Sequence, residues 1–382
     1  MSIMELLGNT EAATGLSDWG GLEFIEGLTV LRDSVVKESQ TGKAGLEAFD
    51  DMATSILVKR LKVIDDRTRH PEISREEIRS PLIVVGLPRT GTTILHALLA
   101  QASNARSPLD WEIDEPSPPP RQASYNSDPR IARRKAVVDV IGPAMRTYHI
   151  MDAQLPDECD VLLQYAFQTF RLNANFYTPR YMEWLLQTDT SPGYDFHRQM
   201  LQHLGAFTDD KQWVLKSPTH IFWLDRLLAT YPDARIVFTH RDPADVVPST
   251  ASFYCFVRRN AGSVAEPRRV GREQLDLWSA GIRRAMQYRS ENPHREKQFF
   301  DVHYREMNSD PVAVVREIYR HFGMPFYDVT EQAMQRFMAE NQQGKHGTHK
   351  YSLEQFGLDK ASLDEEFGEY LQAYNIPNSA NA

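Results

Sequence analysis

The sequence predicts an α/β fold in which a P-loop-type central parallel sheet is flanked by helices, with a helical N-terminal segment and a helical insertion added to it. Three observations carry this. Four short apolar or β-branched runs, Pro81 to Val85, Trp213 to Leu215, Arg235 to Thr239 and Phe299 to Val302, have the length of strands. Each is followed by a helical pattern, and strands alternating with helices imply parallel pairing, with ligands at the carboxyl ends of the strands. The first run opens into Gly86-Leu87-Pro88-Arg89-Thr90-Gly91-Thr92-Thr93, a glycine-bounded turn between a strand and a helix.

Ahead of the first strand, Leu46, Phe49, Ala53, Ile56, Leu57, Leu61 and Ile64 recur at three- and four-residue steps and mark an amphipathic helix over Gly42 to Arg67. Residues 1–80 thus read as a helical extension that carries no chemistry. The α/β domain is expected over 81–357. Its first loop leads into the apolar helix of Ile94 to Ala100. Residues 111–210, too long for a loop and rich in Pro, Tyr, Phe and Trp, then read as a helical insertion that roofs the site. Pro116, Pro118, Pro119 and Pro120 make a stiff connector at its start. The second strand leads into a helix through Tyr231, and the fourth into one from Pro311 to Phe322. After the third, Asp242-Pro243 reads as an N-cap with proline at the first helical position. Residues 358–382 complete the chain as a C-terminal helix and tail.

At 382 residues and 41% hydrophobic, the chain can bury a core of its own. A formal net charge of -9 argues against a nucleic-acid partner, so any anion site must be local. Cys159 and Cys255 supply neither a disulfide framework nor a four-ligand metal set, which fits a reducing compartment and two inert core thiols. No segment approaches the roughly 20 apolar residues of a membrane helix. The expectation is a cytoplasmic enzyme with no membrane span and no metal; its oligomeric state stays open, a homodimer included.

Glycines let backbone N–H groups close around an anion, and the helix N-terminus adds partial positive charge. The lysine that a triphosphatase places after the second glycine is here Thr92, and the cation stands earlier, at Arg89. The loop therefore offers an arginine fork and three hydroxyls to a group less charged than a triphosphate. A glycine turn that binds nothing is the plain alternative.

Pro88-Arg89-Thr90-Gly91-Thr92-Thr93 resembles the 5′-phosphosulfate loop of sulfotransferases that use 3′-phosphoadenosine 5′-phosphosulfate (PAPS), where Pro-Lys/Arg-Ser/Thr-Gly-Thr-Thr is usual. Its arginine is similar to that of the bacterial and tyrosylprotein branches. The resemblance implies that Arg89, Thr90, Gly91, Thr92 and Thr93 hold the phosphosulfate. The family also places an Arg and, eight residues on, a Ser on the 3′-phosphate; Arg241 and Ser249 match in type and spacing. Eight residues of regular helix span about 12 Å, so one phosphate is reached by both only if the arginine folds back or Pro248 distorts the helix. Lys216 lies twenty-five residues before Arg241, the interval at which the tyrosylprotein branch carries a lysine on the sulfuryl or bridging oxygens. A lysine closing a buried strand also wants an anionic partner. Tyr304 resembles the family's tyrosine near the nucleotide, and Lys345, in Gly344-Lys345-His346-Gly347, resembles its C-terminal phosphate flap.

Sulfuryl transfer, like phosphoryl transfer, builds charge on the leaving phosphate, which assigns Arg89 and Lys216 to catalysis as well as binding. The acceptor hydroxyl must also lose a proton. By resemblance to the tyrosylprotein branch, whose base is a glutamate about twenty residues past the loop arginine, the expected base is Glu112, dried by Trp111; Asp110 is second, with His149 and His220 as rivals. A structural Glu112 paired to an arginine is the bland alternative. Tyr148, Met151, Phe167, Phe170, Phe176, Tyr177, Tyr181 and Trp184 suggest an apolar acceptor pocket for a phenol, sterol or lipid alcohol, although ordinary helix packing explains them equally. Pro156-Asp157-Glu158 instead suits a polar acceptor. Two other functions compete: a magnesium-dependent P-loop kinase of small molecules, and a non-catalytic nucleotide-binding module.

Overall fold

The computed structural model describes residues 1–145, 151–209, 211–341 and 351–377. Five parallel strands, β1 (Leu82–Gly86), β2 (Ala105–Arg106), β3 (Gln212–Lys216), β4 (Arg235–His240) and β5 (Phe299–His303), form one sheet in the order β2-β3-β1-β4-β5. Four of these are the runs read from the sequence. The fifth, β2, is a two-residue edge strand, too short to leave a period of its own.

Side chains alternate across the sheet. Ile83, Val85, Leu215, Ile236 and Phe238 face one buried cluster, while Leu82, Val84, Val214, Val237 and Val302 face the other. Burial on both faces explains why these strands read as continuous apolar runs. The Thr92–Leu99 and Pro311–His321 helices cover the second face through Leu95, Leu98, Val315 and Ile318. The first face is shared with the N-terminal helices Ile3–Thr14, Phe24–Glu38 and Lys43–Arg69, whose Leu6, Leu28, Leu31, Leu57 and Leu61 belong to the same cluster as Ile83.

The insertion is helical: Asp110–Asp114, Pro129–Met145, the 3-10 segment Cys159–Ala166, Arg171–Asn175, Pro179–Gln187 and Ser191–Gly205. Four of its aromatic residues follow the helix-packing alternative. Phe167, Phe170, Phe176 and Tyr181 are core residues rather than pocket lining. Phe170 stacks on Trp223 with centroids 5.0 Å apart, Phe167 meets Phe24 at 6.3 Å and Phe176 meets Phe49 at 5.7 Å. Tyr148 lies outside the described residues.

The strand order reverses at β1, which pairs with β3 on one side and β4 on the other. Ligands bind at such a switch point, beyond the carboxyl ends of the strands. The pairing is tight where the loop departs: Gly86 has φ +136°, and a Cβ there would stand 2.5 Å from the carbonyl oxygen of Thr239 on β4. Gly86→Ala is therefore expected to cost about 2–3 kcal/mol through clash and backbone strain, read as a lower midpoint in urea denaturation.

Candidate active site

The loop leaves β1 and enters the Thr92–Leu99 helix through Gly91, whose φ of +86° places it in the left-handed region. Arg89 is also left-handed, at φ +63°, which is costly for a residue with a side chain and is held by its neighbours. The Thr90 hydroxyl donates to Leu87 O at 2.7 Å and meets Thr239 Oγ1 at 2.6 Å, fully buried. Its side chain ties the loop to β4, so the expected third hydroxyl for the anion is spent inside the protein. Thr92 is buried and Thr93 half-buried at the start of the helix.

Arg89 joins the two phosphate motifs. Its Nε donates to Ser249 Oγ at 3.1 Å, and its carbonyl oxygen accepts from Arg241 Nη1 at 2.8 Å. Arg241 sits at the tip of β4, Ser249 lies in the Pro243–Asn260 helix, and Arg89 spans the gap between them. Asp242 caps that helix as expected, accepting from Ala244 N, with Pro243 at the first position. Arg241 also reaches Asp245 at 3.2 Å and lies 4.0 Å over the ring of Tyr304. Tyr304 in turn stands against the loop, 3.4 Å from where a Cβ on Gly91 would sit. Ser249 Oγ is 2.7 Å from the hydroxyl of Tyr351, which the sequence did not single out. A cavity of about 190 Å³ opens beside Arg241, lined among others by Asp242, His303, Tyr304, Arg305 and Pro377. Lys345 lies outside the described residues, as does His149.

Lys216 ends β3 and is almost wholly buried. Its anionic partner is Glu158, whose Oε1 lies 2.5 Å from Nζ; the carboxylate side chain is 24% exposed. Their charges are felt at His96, in the second turn of the loop's helix, whose ring is pushed down to about 3, first by burial, then by Lys216. The pair therefore lies against the helix that the loop opens.

The expected base, Glu112, is placed differently. It is fully buried, and both oxygens are gripped by Arg106, at 2.7 Å to Nη2 and 2.9 Å to Nη1, with Leu109 N donating to Oε2 at 2.9 Å. Arg106 comes from β2, the strand that the sequence did not show. Trp111 is buried as well, and the expected base stands here as one partner of a buried ion pair, the alternative that the sequence left open. Asp110 is bound the same way by Arg134, at 2.6 and 2.8 Å. His220 is buried, with Cys159 Sγ 3.1 Å from Nε2 and the Tyr194 hydroxyl 2.9 Å from Nδ1. Burial pushes its ring down to about 3, which favours the neutral imidazole. Among the described residues, Cys159, His197 and His220 are the one group able to bring metal-ligand atoms together, and all three are buried in this network. Cys255 is a second buried thiol.

Asp160, two residues past Glu158, is buried, and Oδ1 has no hydrogen-bond partner among the described residues. Burial, then the charge of Glu158, pushes its carboxyl up to about 7, against the pull of Arg171.

A glycine-bounded loop opening a helix, with two guanidinium groups beside it at the switch point of a parallel sheet, gives a site shaped for an anionic group. The sulfotransferase family matches residues 81–328, more than half of the chain, and the protein belongs to that family. It is similar to the omega-hydroxy-beta-dihydromenaquinone-9 sulfotransferase Stf3 of Mycobacterium bovis, with 25% identity covering 93% of this chain and 90% of the relative. Among solved structures it is similar to sulfotransferase STF1 of Mycobacterium tuberculosis, at 32% identity and a TM-score of 0.86 over 97% of this chain and 99% of that one. It also resembles sulfotransferase STF9 of Mycobacterium avium, at 29% identity and a TM-score of 0.89 over 98% and 97%. No helix among the described residues is long and apolar enough to cross a membrane.

Glu112→Gln, which leaves the Arg106 guanidinium buried without its counter-charge, is expected to lower stability by about 3–5 kcal/mol in chemical denaturation. Asp160 carries a pH signature of opposite kind. An acid whose folded pKa is raised holds its proton longer in the folded state, so its contribution is full below about pH 4 and is lost as pH rises through about 7. Asp160→Asn should therefore gain stability relative to wild type as pH is raised across that window, measured as diverging urea midpoints.

Proposed function

We propose that this sulfotransferase moves the sulfuryl group of PAPS to the hydroxyl of a lipid-like acceptor. The observation that carries the donor is the convergence of Arg89, Arg241 and Ser249 on one edge of the sheet. An adenosine bisphosphate presents two anionic ends, and this edge presents two adjoining cationic groups, one on the loop and one at the tip of β4. In this reading the loop N–H groups, Arg89, Thr92 and Thr93 hold the 5′-phosphosulfate, with Thr90 and Gly91 shaping the loop. Arg241 and Ser249 hold the 3′-phosphate, and Tyr304 orients Arg241. Lys216 points its ammonium at the oxygen that bridges sulfur and phosphorus, where charge grows as the bond breaks.

The acceptor class rests on the Mycobacterium bovis relative, whose name gives it an omega-hydroxyl of a menaquinone derivative. That favours a lipid alcohol over a phenol or sterol. A magnesium-dependent kinase finds less support, because Thr92 stands where its phosphate-binding lysine belongs.

Isothermal calorimetry tests the donor. Adenosine 3′,5′-bisphosphate is expected to bind without magnesium and more tightly than ATP with it. Arg89→Ala and Arg241→Ala should each weaken that binding at least tenfold, in line with the about 1.5–3 kcal/mol of a charged hydrogen bond. Equal or tighter binding of magnesium ATP would overturn the donor assignment.

A further inference from the structure

Glu112, Asp110 and His220 are all committed to partners within the protein, yet an alcohol must lose its proton as the O–S bond forms. The geometry points to Glu158 as the group that takes this proton, held in position by Lys216. This inference rests on the sulfuryl-transfer reading and adds to it the residue that activates the acceptor.

Three observations support the assignment. The first is the asymmetry of the pair: the Lys216 side chain is 2% exposed and Glu158 24%, so the ammonium anchors a carboxylate that reaches outward at the carboxyl edge of the sheet. In Glu112 and Arg106 both partners are sealed in, at 0% and 6%. A base must touch a substrate that arrives from outside, and among these three pairs the Glu158 carboxylate is best placed to do so. Asp110 is 10% exposed and doubly bound to Arg134.

The second is position. Val84 of β1 pairs with Lys216 of β3 two residues before β1 gives way to the loop. Lys216, Glu158 and Asp157 all act on the ring of His96, which lies four residues after Thr92 on the helix that the loop opens. An acceptor oxygen in line with the sulfuryl group would thus meet Glu158 on the side facing β3, opposite the nucleotide contacts of Arg241 just after β4.

The third is rigidity. The segment that carries Glu158 is fixed by an antiparallel bridge between Leu109 and Pro156, by Asp157 N donating to Pro108 O at 3.0 Å and by Glu158 N donating to Asp157 Oδ1 at 2.7 Å. A general base works only when held within hydrogen-bond reach of the proton. The charged groups on and around this segment are Lys216, 2.5 Å from Glu158, the neighbouring Asp157 with Arg171 3.7 Å away, and the buried Asp160, whose own carboxyl is pushed up by burial and then by Glu158.

The step balances. The acceptor oxygen bonds to sulfur as the bond between sulfur and the bridging oxygen breaks, and the electron pair leaves with adenosine 3′,5′-bisphosphate. The hydroxyl proton passes to Glu158. An ammonium has three N–H donors, so Lys216 can hold Glu158 with one and meet the leaving oxygen with another.

The test compares a neutral nucleophile with one that needs no base. Wild type and Glu158→Gln of the full chain are assayed with PAPS and either farnesol or 4-nitrophenol, which is largely ionised at mildly alkaline pH. Where farnesol does not turn over, donor hydrolysis supplies the neutral arm. Glu158→Gln is expected to lose roughly 10²–10⁴-fold in kcat with the neutral nucleophile and less than tenfold with the phenolate, with bisphosphate affinity unchanged. Glu158→Asp, which keeps a counter-charge beside Lys216, guards against misfolding and should show a smaller loss of the same selectivity. Equal losses on both nucleophiles, no loss on the neutral one, or the selective loss appearing in Asp157→Asn instead would each overturn the assignment. Failure of wild type to bind the bisphosphate would overturn the donor reading itself, a separate result.

Discussion

Parallel pairing of β1 with both β3 and β4 is the constraint on which the site depends. Because the strands run the same way, the loop after β1, Lys216 at the end of β3 and Arg241 after β4 emerge at one edge although they are far apart in sequence. The close fit of Gly86 to Thr239, and the Thr90 hydroxyl bonded to Thr239, lock the loop to β4. That lock brings the carbonyl of Arg89 under Arg241 and its guanidinium to Ser249, so two motifs become one surface. The left-handed backbone at Arg89 is compatible with a residue held by several partners at once.

The carboxylates around this edge differ in what burial does to them. Arg106 closes on Glu112 with no path to solvent, and Arg134 closes on Asp110; such pairs position the Asp110–Asp114 turn and offer nothing to an acceptor. Lys216 and Glu158 use the same attraction but leave the carboxylate partly exposed. Asp160, buried with Oδ1 lacking a hydrogen-bond partner among the described residues, costs stability at neutral pH.

The similarity to the mycobacterial sulfotransferases extends over nearly the whole chain, including the N-terminal helices that share a core with β1. These helices and the insertion bury most of their aromatic residues, Phe167, Phe170 and Phe176 among them, in the core they share with the sheet.

The sequence alone determined the strand, loop and helix units, the glycine-bounded anion loop, the missing lysine at Thr92 and the Asp242 cap, because each is written in consecutive residues whose local conformation has few alternatives. It also required an anionic partner for Lys216 without saying which. Only the tertiary structure decided that Glu158, fifty-eight residues earlier, is that partner, that Arg89 bridges Arg241 and Ser249, and that Glu112 belongs to Arg106. These are contacts between distant segments, set by strand order and by which ionic groups are sealed from water, and neither leaves a periodic or local mark in the chain.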